Sequence, residues 1–201
     1  TLLPHAGVSF YRIIVALAVG TVLALPLGLL IGRSPRLDAI AAPLTFLTYP
    51  IPKVVFLPVL MVLMGIGDAS KITLIAIIVF FQILITSRDA ARAIPEGMIT
   101  SVRSLGGTPL QIVRHVVVPA TLPEVFTALR ISIGTAIAVL FLSESFAGST
   151  GLGAYISDMW GIVNYRSMFA GIIAMALLGA MLYEAIDFLE SRLTRWRKTA
   201  R

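Results

Sequence analysis

The sequence contains no cysteine and only two histidines, and Asp, Glu, Lys and Arg together make up only 13% of its 201 residues. The missing cysteines exclude disulfide bonds and thiolate metal sites, and two histidines argue against a histidine-rich metal centre. Soluble domains carry about 25% charged residues, so this chain has too little charge to cover a water-exposed globule. Hydrophobic residues make up 58%. The solvent around the chain must therefore be partly lipid.

The net charge of +6 follows the ends of the apolar segments. Basic residues lie between and beyond the long apolar runs, as the positive-inside rule expects of loops on the cytoplasmic side. We therefore interpret the charge as a topology signal and not as a surface for nucleic acid. No basic region followed by a small-residue cleavage site is visible, so we do not expect a signal peptide.

Long apolar runs predict the membrane-crossing segments. About twenty apolar residues cross the ~30 Å hydrocarbon core of a bilayer, and the run from Ile13 to Gly32 does so without a charge, between Arg12 and Arg33. Gly28 and Gly32 form a GxxxG pair, which allows close helix packing. The predicted spans are 13–32, 54–67, 72–87, 122–146 and 167–189.

The basic loops predict the orientation of the chain. Residues 33–36 and 88–92 belong on the same, cytoplasmic, side, and two crossings must separate them. The runs 54–67 and 72–87 supply both, so 38–49 is predicted to be interfacial or re-entrant. The C-terminus is predicted to be cytoplasmic, which leaves the visible N-terminus outside; we expect one further helix before it, six in all. The basic residues at the C-terminus are Arg192, Arg195, Arg197, Lys198 and Arg201.

A polar, basic and glycine-broken insert at 95–120 interrupts the apolar runs. Pro95 and Glu96 suit the first turn of a helix, where the missing N–H of proline is harmless and an acid faces the positive end of the helix dipole. Gly106-Gly107 is predicted to end that helix. A membrane protein that places short helices here builds a docking surface in the water.

A second short helix is predicted directly after the glycines. Thr108 is the N-cap and Gln111 closes a capping box, and Pro119 is predicted to stop the helix. The sequence Thr121-Leu122-Pro123-Glu124 repeats the capping-box pattern and is predicted to open the span 122–146. Two capped starts indicate a helix–turn–helix–turn unit.

The segment 100–123 resembles the EAA loop in the inner-membrane permease subunits of ABC importers. That pattern is Glu-Ala-Ala, three residues, Gly, nine residues and Ile-x-Leu-Pro. Thr100-Ser101-Val102 replaces Glu-Ala-Ala, which leaves the role of the family's acid open in this chain. The Gly, Ile, Leu and Pro positions are held by Gly106, Val116, Val118 and Pro119.

Further stretches are similar to the nitrate/sulfonate/taurine branch of these permeases. The resemblance covers nearly the whole chain. It implies an all-α, polytopic transmembrane helical bundle that forms one permease domain over 1–201, with a cytoplasmic coupling helix pair in 95–120. The similar stretches are PLGLLIGRS (26–34), IPKVVFLPVLMVLMGIGDASK (51–71), VRSLGG (102–107), VVVPATLP (116–123), GLGAYI (151–156) and FAGII (169–173).

The resemblance implies a transport subunit and not an enzyme. The chain has no G-x-x-x-x-G-K-[ST] motif for nucleotide phosphates, so ATP and Mg²⁺ are expected on separate ABC ATPase subunits and no cofactor on this chain. The other implied partners are an extracytoplasmic solute-binding protein, a second permease copy in a homodimer, and the lipid of a bacterial or archaeal cytoplasmic membrane. The implied solutes are sulfonates, taurine, nitrate, bicarbonate or vitamin precursors.

In the family, the loop around the EAA glycine forms coupling helices that lie in a groove of the ATPase. Arg103 and Arg114 would provide charged contacts there. From the residues alone, a basic loop that only sets topology is an equal alternative; the motif spacing favours coupling. The implied coupling residues are Thr100, Ser101, Val102, Arg103, Ser104, Leu105, Gly106, Gly107, Thr108 and Arg114.

Two places are candidates for the translocation path. Pro50 and Pro52 break the backbone, and broken backbone at membrane depth is tolerated where it is buried or lines a cavity. Lys53 beside them either attracts an anionic solute or extends to the cytoplasmic interface, and the predicted topology favours the interface. Ser143 and Glu144 lie near the outer end of a span, where the acid either lines the path or a gate, or caps a helix end.

Two other classes of function fit the sequence less well. An intramembrane protease needs a base near its serine, and His5 and His115 both lie outside the predicted spans. A secondary carrier or channel would not need a capped cytoplasmic helix pair, and such carriers usually contain an internal repeat, which we do not find. Transport that survives loss of the ATPase would identify the carrier.

Overall fold

The computed structural model describes residues 1–195, except for the side chain of Ala147. Arg197, Lys198 and Arg201, predicted to be cytoplasmic, lie outside the described residues. Within the described part the chain is helical, without strands, and the all-α prediction is confirmed. The helices are α1 (Leu2–Arg33), α2 (Pro35–Thr48), α3 (Leu57–Met64), α4 (Asp68–Arg92), α5 (Glu96–Ser104), α6 (Pro109–Ile112), α7 (Val118–Ala147), α8 (Leu152–Gly161) and α9 (Tyr165–Leu193), with a 3₁₀ turn (Lys53–Phe56) before α3 and a π turn (Val113–Val117) before α7.

Helices α1 and α4 form a close-packed parallel pair. A Cβ atom added to Gly20 would lie 2.9 Å from the carbonyl oxygen of Ala76, and one added to Gly28 would lie 2.7 Å from that of Leu84. Gly32 lies equally close to the carbonyl oxygen of Arg88, one turn further along both helices. This line of glycine contacts between α1 and α4 is called the seam. Because the contacts advance together along both helices, α1 and α4 point in the same direction. The GxxxG pair therefore does mark a helix contact.

The parallel pair requires one return crossing between its members, within residues 34–67. Helix α3 has eight residues, about 12 Å at 1.5 Å per residue, which is too short to cross a bilayer. Helix α2 and the segment Lys53–Met64 must therefore share the crossing, bent by 81° at the break between them. The prediction of 54–67 as a complete span, with 38–49 outside it, was wrong because the break divides one crossing into two short helices.

Helices α7 and α9 complete the bundle. The first turns of α7 pack near the C-terminal ends of α1 and α4, and its last turns reach the first turns of α1. Helix α9 begins beside α8 and returns past α7. One end of the bundle, here called the α8 end, carries the start of α1, the start of α4 and α8. The opposite end, called the α5 end, carries the last turns of α1 and α4, α5 and α6.

Five candidate crossings are present in the described part of the chain, as predicted. Four are long apolar helices and the fifth is the bent pair. The helices extend beyond the predicted spans, because α1 already begins at Leu2 and α4 at Asp68. The four long helices are Leu2–Arg33, Asp68–Arg92, Pro109–Phe146 and Tyr165–Leu193.

The helix that begins at Pro109 does not stop at Pro119, contrary to the prediction. It passes through the π turn and continues as α7 to Ala147. The π turn before Pro119 is wider than an α-helical turn. It makes room for the proline ring, which in an α-helix would clash with the carbonyl four residues earlier. Thr121 is no N-cap, because its hydroxyl donates to the carbonyl of Val117 within the helix. The second predicted capped start is therefore wrong.

Candidate functional site

The 95–120 insert is anchored to the α5 end by a small apolar core. Helix α5 turns Ile99 inward, and the α6–π segment turns Ile112 and Val117 to the same side. They pack on the last turns of α1 and α4, so the insert is fixed to two membrane helices and is not a loose loop. The buried members of this core are Leu29, Ala91, Ile94, Ile99, Ile112, Val116 and Val117.

The turn between α5 and α6 depends on its glycines and a capping box. Gly106 has a φ of +79°, a conformation that side chains disfavour. Gly107 donates its N–H to the carbonyl of Val102 at 3.0 Å, and a Cβ on Gly107 would lie 2.6 Å from a Val102 methyl. Thr108 and Gln111 form both halves of the predicted capping box. The turn therefore has one tightly defined shape.

The outward side of this turn is exposed and partly apolar. Leu105 is 88% exposed and Leu110 76% exposed, and Arg103 and Arg114 are exposed beside them. Leu110 was missed by the sequence reasoning, because a leucine one position after a helical proline reads as ordinary core. Large aliphatic side chains held outward on a rigid turn form a surface for contact with another protein.

The residues in place of Glu-Ala-Ala take part in hydrogen bonds within their own helix, α5. The Ser101 hydroxyl donates to the carbonyl of Gly97 at 2.8 Å, and the Ser104 hydroxyl donates to that of Thr100 at 2.9 Å. Thr100 is exposed. These short polar side chains therefore complete α5 itself and leave its exposed face without an acidic group at this position.

A buried ionic network lies at the α8 end, centred on Arg12. The Arg12 side chain is 2% exposed. Its guanidinium donates to Glu144 at 2.7 Å, to Asp68 at 2.6 Å and to the backbone carbonyl of Thr150 at 2.8 Å. The network joins α1, α4, α7 and the loop before α8. Sequence reasoning missed Arg12 and Asp68 as site residues, because it read them as the ends of spans.

Glu144 is completely buried and its oxygens are fully engaged. Besides Arg12 it accepts the hydroxyl of Ser9 at 2.9 Å and the N–H of Gly153 at 2.8 Å. Ser9 in turn accepts the N–H of Leu152 at 2.8 Å. The first N–H groups of α8, which have no partner inside that helix, are thus bonded by Ser9 and Glu144. These contacts favour the helix-capping alternative for Glu144.

Ser143 does not open onto a path in this chain. Its side chain is completely buried, and its hydroxyl donates to the carbonyl of Leu140 at 2.9 Å within α7. Ser143 and Glu144, two of the residues considered for the translocation path, therefore lie inside the helical bundle. In sequence they are distant from the break at Pro50 and Pro52 in the bent crossing.

The break in the second crossing places Lys53 at the middle of the bundle. Its ammonium lies 4.7 Å from the ring centroid of Phe81, and Phe81 is near the centre of α4. The ammonium donates to the carbonyl of Tyr49 at 3.0 Å and to that of Thr48 at 3.3 Å. The expected position at the cytoplasmic interface is corrected, because α2 carries the chain to mid-depth before Pro50 and Pro52 break it.

Ion pairs also join the helices at the α5 end. Asp38, in the first turn of α2, pairs with Arg88 and, at 2.8 Å, with Arg92 at the end of α4. Arg33, the last residue of α1, pairs with Glu96 of α5 at 2.9 Å. The start of the broken crossing and the start of α5 are therefore both held by the ends of the parallel pair.

Comparison with known proteins connects this architecture to a transport family. The family model described as "Binding-protein-dependent transport system inner membrane component" matches residues 24–195. The chain is 31% identical over 196 residues to the taurine transport system permease protein TauC of Escherichia coli K12, covering 98% of this chain and 71% of that protein. It is 28% identical to the formylaminopyrimidine transport permease protein ThiX of Halalkalibacterium halodurans, covering 96% and 78%.

A solved structure has the same fold. A chain of the MetNI methionine ABC transporter, in an inward-facing conformation, superposes with a TM-score of 0.80 at 24% identity, covering 96% of each chain. Together with the family match, these findings establish a membrane transport subunit rather than an enzyme. The chain belongs to the binding-protein-dependent inner-membrane permease family of ABC importers.

Proposed function

We propose that this importer permease is coupled to its ATPase through the 95–120 insert, with the turn at Gly106-Gly107 as the contact. The observation that supports this is the pair Leu105 and Leu110, 88% and 76% exposed on a turn of fixed shape. A rigid turn transmits a displacement that a flexible loop would absorb. ATP and Mg²⁺ belong to the ATPase in this proposal, and this chain binds no cofactor.

The α5 end faces the cytoplasm in this proposal. Arg33, Arg88 and Arg92 lie at that end, and the positive-inside rule places such residues on the cytoplasmic side. The α8 end then faces outward, where a solute-binding protein delivers its cargo. The C-terminal end of α9 is cytoplasmic by the same reasoning.

A second copy of the chain completes the transporter in this proposal. An apolar groove between α7 and α9 lies on the outside of the protomer and offers an extended surface for helix packing. Its polar end is formed by Arg130 and Glu184. A homodimer would place two broken crossings around one path, with Pro50, Pro52 and Lys53 of each copy facing it.

The cargo in this proposal is a small solute handed over by the binding protein. The names of the relatives include permeases for taurine, for aliphatic sulfonates and for formylaminopyrimidine. This range is consistent with a shared permease frame in which the binding protein contributes most of the selection.

The coupling proposal is tested with two glycine-to-alanine changes in one short segment. Gly107→Ala places a methyl group 2.6 Å from Val102 and must distort the turn. Gly97→Ala lies in α5, in the same insert. It places its methyl group in open space and serves as the matched control. The full-length tagged protein is purified gently from native membranes, and companions carrying a P-loop are identified by mass spectrometry.

We expect the wild type and Gly97→Ala to retain a P-loop ATPase and ATP-driven uptake. Gly107→Ala should lose most of both while its helix content and expression stay unchanged. Equal ATPase retention and uptake in both variants would contradict coupling through this turn. Uptake that continues after deletion of the ATPase gene would contradict the importer mechanism itself.

A further inference from the structure

We propose that the ATPase surface that receives the turn at Gly106-Gly107 is an apolar pocket bordered by carboxylates, which pair with Arg103 and Arg114. This inference rests on the proposed function, since it takes the ATPase as the partner of the turn. It adds the chemistry of the partner's surface, and it follows from the acid that this chain lacks.

The insert carries cations without acids beside them. Residues 97–123 include Arg103 and Arg114 but no Asp or Glu, and both arginine side chains are exposed. Among the residues that the structure describes, no carboxylate lies within ion-pair distance of either one. Arg33 and Arg88, at the same end of the bundle, each pair with an acid. The insert therefore presents positive charge that is not compensated locally.

The replacement of the family's acid by Thr100 accounts for the missing partner of Arg103. Thr100 and Arg103 are three positions apart in α5, and side chains at this spacing are neighbours on a helix surface. A glutamate at position 100 would lie beside the guanidinium and compensate its charge. Threonine carries no charge, so the guanidinium of Arg103 is available to a carboxylate on a partner.

Other polar side chains of the turn are bonded inside the insert. The hydroxyls of Ser101 and Ser104 donate to carbonyls of α5. Thr108 and Gln111 bond each other in the capping box. The two guanidinium groups are therefore the strongest hydrogen-bond donors that the turn offers to a partner.

Aliphatic side chains accompany these donors. Leu105, Leu110 and Val113 are 88%, 76% and 40% exposed, and their burial in an apolar pocket is favourable. The same contact removes water from the guanidinium groups, which is costly unless each charge is paired and hydrogen-bonded. Carboxylates at the border of the pocket meet this requirement, because arginine binds a carboxylate through two parallel hydrogen bonds.

Anionic lipid headgroups are the other negative groups at a cytoplasmic membrane surface. The fixed shape of the turn favours a protein partner, because a surface held in one conformation loses little freedom when it binds a complementary surface. A fluid headgroup layer adapts to any shape and does not need such a turn. The test separates the two partners by their chemistry.

The test replaces each arginine by lysine and identifies the group that the lysine amine contacts. The complete transporter, with ATPase, is reconstituted in nanodiscs that contain anionic lipid. A water-soluble carbodiimide activates carboxylates, and the amine displaces a urea to form an amide with no added atoms between the two groups. Arg36→Lys, an exposed position in the first turn of α2 and outside the insert, is the matched control. Crosslinked peptides are identified by mass spectrometry.

We expect Arg103→Lys and Arg114→Lys to form amide crosslinks to Asp or Glu of the ATPase, and Arg36→Lys to form none. A phosphate headgroup yields no such amide.

A second variant restores the family's acid. Thr100→Glu should lower the affinity for the ATPase about tenfold at low salt, since the new acid compensates Arg103 and faces the partner's carboxylates. Thr100→Gln, which has a similar shape and no charge, should retain the affinity of the wild type. Added salt should reduce the difference between the two variants. The affinity is measured by titrating the permease in nanodiscs with the purified ATPase.

Two results would overturn the inference. One is the absence of a crosslink to the ATPase from both lysine variants in a transporter that hydrolyses ATP. The other is an affinity that is unchanged or higher in Thr100→Glu. Either result, combined with loss of the ATPase in Gly107→Ala, rejects the carboxylate border and leaves coupling through the turn intact. Retention of the ATPase in Gly107→Ala rejects the coupling proposal itself, so the two failures are distinguishable.

Discussion

The two ends of the bundle hold their helices together with ion pairs of different character. At the α8 end Arg12 and Glu144 are 2% and 0% exposed, and their bonds join four parts of the chain. At the α5 end Glu96 and Arg92 are 76% and 65% exposed. Opening a buried pair leaves charges without water, whereas exposed pairs exchange with solvent at little cost. Also at the α5 end, Asp38 and Arg88 are each only 16% exposed. The bundle is therefore fixed at the α8 end, and the part of the α5 end that is adjustable is the exposed pair between Arg33 and Glu96 of α5, beside the proposed ATPase contact.

The largest expected effect comes from breaking the fixed end. Arg12→Met leaves Glu144 buried without its cation, and we expect a loss of about 3–5 kcal/mol in the free energy of unfolding. The measurement is thermal or denaturant unfolding of the detergent-solubilised protein. Adding Glu144→Leu to Arg12→Met should recover part of the loss, because an apolar pair needs no partner. A single variant as stable as the wild type would contradict the comparison.

The second-largest loss of stability is expected in the seam between α1 and α4. Gly28→Leu forces a side chain against the α4 backbone at Leu84, and we expect a loss of about 1–3 kcal/mol from overpacking. Gly7→Leu on the same helix has open space around its Cβ and should change stability little. The same unfolding assay compares the two. Replacing Gly by Leu raises helix propensity at both positions, so similar losses in both variants would mean that close packing between α1 and α4 does not explain the result.

A smaller effect is expected at the adjustable pair. Glu96→Gln removes the acid from the ion pair with Arg33, and its exposure limits the loss to about 1 kcal/mol or less. The loss should also shrink with added salt, because exposed pairs are screened, while the effect of Arg12→Met should persist. Unfolding at low and high ionic strength tests this difference. A loss from Glu96→Gln as large as that from Arg12→Met would remove the contrast between the ends.

The smallest effect is expected on the exposed face of α5. Thr100→Ala should change stability by about 0.5 kcal/mol or less, and uptake should be retained, because only the backbone carbonyl of Thr100 is used.

Gly106→Val, in the adjacent turn with its φ of +79°, should uncouple ATP hydrolysis from uptake. Uptake assays with both variants sharpen the comparison within one turn. Full transport by Gly106→Val would contradict the importance of that turn.

Local signals in the sequence predicted the parts of the site that are local in structure. The glycine turn at Gly106 and the cap at Thr108 both depend on residues within four positions, and both are present. The stop predicted at Pro119 was wrong, because a π turn of five residues accommodates the ring and only packing reveals it. The continuous helix through this proline is the main difference in the coupling region.

Long-range contacts were beyond the sequence. Arg12 and Glu144 are separated by 132 positions, and each reads alone as an interfacial charge at the end of a span. The depth of Lys53 likewise depends on α2 entering the membrane. A 14-residue helix containing Pro43 looked too short to cross, and without that half-crossing the lysine was expected at the interface. The number of crossings was still predictable, because the basic ends of α1 and α4 must lie together.

The unbroken helix from Pro109 to Ala147 has a mechanical consequence. At 1.5 Å per residue it is a rod about 58 Å long, and near its middle the hydroxyl of Ser132 donates to Gln82 of α4 at 3.0 Å. Its Glu144 end is held by the buried network around Arg12, so a pull on the Pro109 end would tilt such a rod about the Glu144 end. The helix would then act as a lever with its pivot at the α8 end, in which a long stroke at the α5 end becomes a shorter and stronger stroke beside Ser132.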